Sequence, residues 1–154
     1  MINRFSFFSI LCLALAWSAP AYSKGDTAMD TKKNPFGVLD FIYWNHPWNN
    51  YQYPSRSSIE RSITLMKKCG IGSVRMDFLW QDIEPAAGTF DFAAYDYIVD
   101  TLTRYNISIL GVLSYHTDWA SPDKKWNVPN NDHAPFMGYC EKICRRYKDR
   151  VKFW

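Results

Sequence analysis

From residue 36 onward the chain alternates between short apolar runs and longer stretches in which apolar side chains recur every three or four residues. Phe36 to Tyr43 (FGVLDFIY) is an apolar run rich in aromatic and β-branched residues, the pattern of a buried strand. Ser57-Ser58-Ile59-Glu60 has the S-x-x-E spacing of a capping box, and Ile59, Ile63 and Met66 continue it at helical spacing. Lys67 and Lys68 suit the negative end of that helix, and Gly70 is a left-handed stop. Ser73 to Phe78 reads as a second strand, followed by a turn built on Pro85 and Gly88. Tyr95, Ile98, Val99, Leu102 and Tyr105 mark a second helix over Phe92 to Tyr105, and Asn106 ends it. Ile107 to Leu113 (ISILGVL) is a third strand. Residues 117 to 133 form a long polar loop, and loops of that length inside a compact domain are usually functional. Pro135 fits the first turn of a third helix with the stripe Phe136, Cys140, Ile143, Cys144 and Tyr147. Val151 to Trp154 has the look of a fourth strand.

The order β-α-β-α-β-α-β implies a parallel sheet joined by helical crossovers. No G-x-G-x-x-G follows the first strand, which disfavours a dinucleotide-binding sheet. The expected fold class is α/β, a (β/α)8 TIM barrel represented by about its first four strands and three helices. Whole barrels of this kind take about 250 residues, so the 154-residue chain reads as truncated.

The first residues follow another pattern. Arg4 precedes a 13-residue apolar run, Phe5 to Trp17, and the small-residue site Ala21-Tyr22-Ser23 follows it. That makes residues 1 to 23 a secretory signal peptide, too short to span a membrane, with release to an extracellular or periplasmic location and no membrane attachment afterwards. Residues 24 to 35 are polar and aperiodic, a linker, and residues 36 to 154 are the barrel domain. Without the signal peptide Lys+Arg falls from 18 to 17 against 15 Asp+Glu, no footprint for nucleic acid. Cys69, Cys140 and Cys144 remain, an odd number without zinc spacing, best read as small buried apolar side chains.

The composition adds aromatic weight where the chemistry is expected. Trp44, Trp48, Trp80, Trp119 and Trp126, and all three histidines, fall after the first three strands. In a barrel those loops share the rim that carries active sites. Aromatic faces beside polar groups suit sugar rings, whose C–H groups stack while their hydroxyls hydrogen-bond; the plain alternative is packing of the barrel top. Arg75 and Asp77 interrupt an otherwise apolar strand, and buried charge requires a partner. Arg75 either holds a carboxylate in the barrel mouth or forms a structural ion pair with Asp77 or Glu84; Asp77 and Glu84 lean toward scaffold. His46, His116 and Asp77 could converge on a metal, but no H-x-H or H-E-x-x-H supports this, and no metal or cofactor is expected. Asn106-Ile107-Ser108 is an N-glycosylation sequon.

Gly70 to Phe92, GIGSVRMDFLWQDIEPAAGTFDF, resembles the second βα unit of the clan-A retaining glycoside hydrolases, including family 5 cellulase-like, family 39 xylosidase-like and family 42 galactosidase-like enzymes. Tyr95-Asp96, Ile109-Leu110, the His116 to Trp119 segment and the Tyr147 to Trp154 tail extend the likeness over residues 36 to 154. The resemblance implies that Arg75 contacts the nucleophile and that His116 lines a sugar subsite, beside Trp44, His46, Trp80 and Trp119 as substrate-binding candidates. It implies an oligo- or polysaccharide substrate. It also puts the acid/base glutamate at the end of strand four and the nucleophile at the end of strand seven, both past Trp154. The expectation is therefore a secreted retaining glycosidase in full-length form, with this chain an inactive part holding none of the catalytic residues. The alternative is a non-catalytic carbohydrate-binding or interaction protein built on a degenerate barrel.

Overall fold

The computed structural model describes residues 34–43, 46–121, 123 and 132–154. The signal peptide, most of the linker, Trp44 and Trp126 lie outside the described residues. The elements are β1 (Gly37–Leu39), α1 (Arg56–Lys68), β2 (Ser73–Leu79), α2 (Trp80–Ile83), α3 (Ala93–Arg104), β3 (Ser108–Ser114) and α4 (Ala134–Tyr147), with a single 3-10 turn at Pro47–Asn49. The strands form a parallel sheet in the order β1-β2-β3. Phe153 bridges Leu110 in the same sense, so the chain beyond α4 returns alongside β3.

In-register parallel neighbours share a face, and successive residues alternate faces. Val38, Val74 and Ile109 are level with one another, as are Leu39, Arg75 and Leu110 one step on. Val74, Met76 and Phe78 of β2 are buried in one cluster with Ile59 and Ile63 of α1, Ile98, Val99 and Leu102 of α3, and Ile143 and Tyr147 of α4. The opposite face carries Arg75 and Asp77, and Leu39 there is 50% exposed. Ion pairs tie the outer helix layer together: Arg104 to Glu60 joins α3 to α1, and Arg146 to Asp96 joins α4 to α3.

Local chemistry explains where the elements begin and end, and where they depart from expectation. α1 is capped by Ser55, two residues earlier than the Ser57–Glu60 box predicts. Ser55 is extended, its hydroxyl accepts from the Ser58 backbone N–H at 3.3 Å, and its own N–H donates to Ser58 Oγ at 3.2 Å. A serine at the third helical position can thus replace the expected glutamate, which leaves Glu60 for Arg104. At the other end Gly70 takes φ 74°, with Gly70 N–H on Lys67 O and Ile71 N–H on Met66 O, a Schellman stop that a side chain would strain. β1 has three residues rather than eight, because the Asn49 side chain amide donates to both Phe41 O and Tyr43 O at 2.9 Å. Those carbonyls are satisfied by a loop, and the chain leaves the sheet. The stretch read as a plain turn after strand two contains α2, and the stripe of α4 omitted Tyr139, which is fully buried. Cys69 is exposed rather than buried, and Cys140 and Cys144 are half-buried; all three are free thiols. At Gly111 a Cβ would sit 2.5 Å from the Trp154 ring and 3.1 Å from Phe78, so the fourth-strand approach lies directly on β3.

Candidate active-site rim

The carboxyl ends of the three strands meet where β2 runs into α2. Inside the sheet face, Asp77 is buried and accepts from the Tyr43 hydroxyl at 2.8 Å, while its other oxygen lies 3.2 Å from Arg75 Nη2. Burial, and then the hydrogen bond to Asp77, push the Tyr43 hydroxyl far above the usual tyrosine range, so it stays a donor. Arg75 therefore has the structural ion pair that was one of its two sequence readings. Its side chain keeps 40% of its surface, on the face of the sheet that the helices leave open. The contact with Asp77 is an ion pair without hydrogen-bond geometry, since that Asp77 oxygen has no hydrogen-bond partner among the described residues.

The tryptophans divide. Trp80 was expected to bind substrate, but its ring has no exposed surface. It lies among Trp119, Phe136 and Tyr139 at centroid distances of 5.6, 5.4 and 5.6 Å, and its Nε1–H donates to Glu84 Oε2 at 2.8 Å. Glu84 spends its other oxygen on Gly88 N–H at 2.8 Å, so Trp80 and Glu84 together build the turn after α2. Trp119 packs edge-on against Trp80 and donates its Nε1–H to Glu84 O at 2.9 Å. Its role here is to anchor the loop after β3. Trp80, its N–H spent inside the protein and its ring covered by other rings, has no surface left for a sugar, while Trp119 remains half-buried.

A cavity of about 290 Å³ opens at the rim, and its walls come from all three strand ends. After β1 come His46, Pro47 and Trp48; after β2, Leu79, Gln81 and Asp82; after β3, Tyr115, His116 and Asp118. The two histidines expected at the site are thus brought together. His46 accepts from the Trp48 backbone N–H through Nδ1 at 3.1 Å, which leaves Nε2–H toward Asp82 Oδ1 at 3.4 Å. Burial raises the Asp82 carboxyl above the usual range, and the His46 contact partly offsets this. His116 Nε2 lies 3.5 Å from Asp118 Oδ1, while its Nδ1 is buried without a hydrogen-bond partner among the described residues.

Trp48 is one of the rim tryptophans the sequence points to, whereas Tyr115, Gln81 and Asp82 carry no such signal beyond their position after a strand end. Trp48 is 53% exposed, and its ring meets His46 and Tyr115 edge-on, both at 5.1 Å. Tyr115 holds φ 70°, a left-handed conformation that costs an aromatic residue energy and is typical of functional sites. A second cavity of about 470 Å³ lies behind His46 and Asp82, toward Arg56, Asp91 and the start of α3. Among the described residues no group of three or more His, Cys, Asp or Glu is placed to hold a metal ion.

Comparison with known proteins gives this geometry a lineage. Residues 48–115 match the family-42 glycoside hydrolase model, described as beta-galactosidase. A 6-phospho-beta-glucosidase of Clostridium longisporum is 30% identical over 102 residues, 62% of this chain and 22% of that protein. An ergosteryl-beta-glucosidase of Saccharomyces cerevisiae is 40% identical over 58 residues, 37% of this chain and 8% of its own length. Over this stretch the chain is similar to clan-A glycoside hydrolases. Solved structures agree on the barrel. A family 39 glycoside hydrolase from Bacteroides cellulosilyticus superposes with TM-score 0.60 at 20% identity, covering 77% of this chain and 23% of that one. A beta-galactosidase from Halorubrum lacusprofundi gives 0.56 at 22% identity, covering 77% and 20%. The described sheet and helices are thus part of a TIM barrel. The matched segments make up only 8% and 22% of the first two curated relatives.

Proposed function

We propose that the barrel to which residues 36–154 contribute is a secreted glycoside hydrolase that retains anomeric configuration, and that this chain supplies substrate-holding and positioning groups rather than the reacting carboxylates. What carries the reading is the rim cavity. Two histidines, an exposed tryptophan and a tyrosine line it, in a chain similar to glycosidases, and Arg75 lies further back along β2 with part of its side chain on the open face of the sheet. Retaining hydrolysis needs a nucleophile and a proton donor about 5 to 5.5 Å apart, glutamates in this clan. The sequence has three glutamates. Glu84 is bound to Trp80 and Gly88, Glu60 pairs with Arg104, and Glu141 pairs with Arg145, so none faces the cavity. In the complete site Arg75, fixed by Asp77, holds the nucleophilic carboxylate, and His116 hydrogen-bonds the sugar.

The same observation favours the second reading, a protein that binds carbohydrate without cleaving it. Assays of 4-nitrophenyl β-D-glucoside and β-D-galactoside separate them. The expected result is binding without turnover by residues 24–154, and turnover with retained configuration by a protein that also carries the rest of the barrel. Turnover by residues 24–154 that a mutation within them abolishes would sink this division of labour. The secretory reading is checked by terminal sequencing of exported material, expected to start at Lys24.

A further inference from the structure

Gln81 is the first residue after Trp80 in the short helix α2, and it reaches across to the loop that follows β3. Its Oε1 accepts twice, from Thr117 Oγ1 at 2.9 Å and from the Asp118 backbone N–H at 2.6 Å. A backbone N–H only donates, so the atom facing it is the amide oxygen, and the orientation of the carboxamide is decided without ambiguity. The hydrogen bonds of Gln81 among the described residues are both made by its oxygen, which leaves the NH2 and its two donors on a residue that lines the rim cavity. Trp48 and Tyr115 line the same cavity, their rings edge-on to each other, and Tyr115 has a left-handed backbone. The described walls also carry two aspartates, Asp82 and Asp118, and no lysine or arginine.

We infer that this cavity is a subsite for one neutral sugar ring, that Gln81 is its specificity-determining hydrogen-bond donor, and that sugars carrying phosphate or carboxylate are rejected there. The inference rests on the glycosidase reading and narrows it to a substrate class. The volume, about 290 Å³, falls at the small end of ligand pockets, room for one ring rather than an oligosaccharide. An aromatic wall takes the C–H face of a pyranose, and a fixed NH2 takes a hydroxyl oxygen as acceptor. An anionic substituent would have to enter beside two carboxylates, with no lysine or arginine among the described walls to pair it, and like charges at close range discriminate strongly.

Gln81→Glu is the informative variant, since it is nearly isosteric. One glutamate oxygen still accepts from Thr117 and Asp118, so the loop clamp is kept, while the NH2 donor becomes an acceptor. Binding of methyl β-D-glucopyranoside, methyl β-D-galactopyranoside, the 6-phosphate of the glucoside and methyl β-D-glucuronide is measured by ligand-observed NMR titration, with circular dichroism as the check on folding. The expected result is that at least one neutral glycoside binds, that both anionic sugars bind about tenfold or more weakly, and that Gln81→Glu weakens neutral binding about tenfold with an unchanged melt, the size of one lost hydrogen bond. Neutral binding that survives Gln81→Glu, or an anionic sugar that binds as tightly as the neutral ones, overturns this inference and leaves the glycosidase reading standing. A folded protein that binds none of the four overturns both.

Discussion

Two aromatic clusters lie on either side of the β2–α2 junction, and they use similar side chains to opposite ends. Behind the junction, Phe78, Trp80, Tyr95, Tyr139 and Tyr147 are buried and their polar atoms are spent inside the protein. Tyr139 donates to Phe78 O at 2.6 Å, Tyr95 accepts from Leu79 N–H at 3.0 Å, and Trp80 donates to Glu84. In front, Trp48 and Tyr115 meet edge-on around a cavity, beside a histidine with an orphaned nitrogen and a glutamine with an unspent amide. Ring content does not separate a core from a binding site. The disposition of the polar handles does: satisfied internally they rigidify the scaffold, and left open in a cavity they await a ligand.

The sharpest way to break this comparison is Trp80→Ala. Removing a fully buried tryptophan and the partner of Glu84 is expected to cost about 3–5 kcal/mol of folding stability, measured by denaturant unfolding. A variant that lost sugar binding at unchanged stability would move Trp80 back to the rim, where the sequence had placed it.

A smaller effect tests the front. The Asp82 carboxyl is raised by burial, so the folded state binds its proton more tightly than the unfolded chain does. Its contribution is fully present below the unfolded value of 3.8 and is lost as pH rises through the folded value. At neutral pH the ionised group is thus a cost, and Asp82→Asn removes it while keeping an oxygen for His46. Thermal melts of wild type and variant should coincide more closely at pH 3 and separate in favour of the variant at pH 7. An equal gap at both values, or its reversal, would show that burial of this carboxylate is not what the rim pays for function.

The smallest change in stability is expected from Trp48→Ala. The ring is half exposed and its N–H makes no hydrogen bond among the described residues, so folding should shift by no more than about 0.5 kcal/mol. Neutral-sugar binding, followed by the same NMR titration, should fall below detection. Loss of stability comparable to that of Trp80→Ala would erase the distinction between the two clusters.

Much of this arrangement is legible in the residues by themselves. The βα order, the boundaries of β2 and α3 to within a residue or two, the stop at Gly70, and Arg75 and Asp77 as an odd pair inside a strand all follow from periodicity and the cost of burying charge. So does the placing of His46 and His116 near strand ends, because adjacent parallel strands deliver their loops to one rim. What the pattern left undecided turned on partners distant in sequence. Whether Trp80 or Trp48 faces solvent depends on α4 arriving with Phe136 and Tyr139 to cover one of them. β1 is cut short by Asn49, a loop side chain that competes for its carbonyls. Gln81 becomes a directed donor only because Thr117 and the Asp118 backbone, 36 and 37 residues away, occupy its oxygen. Periodicity reports which face of an element is apolar; which polar atom remains unpaired is a property of the assembled neighbours, and only the tertiary structure decides it.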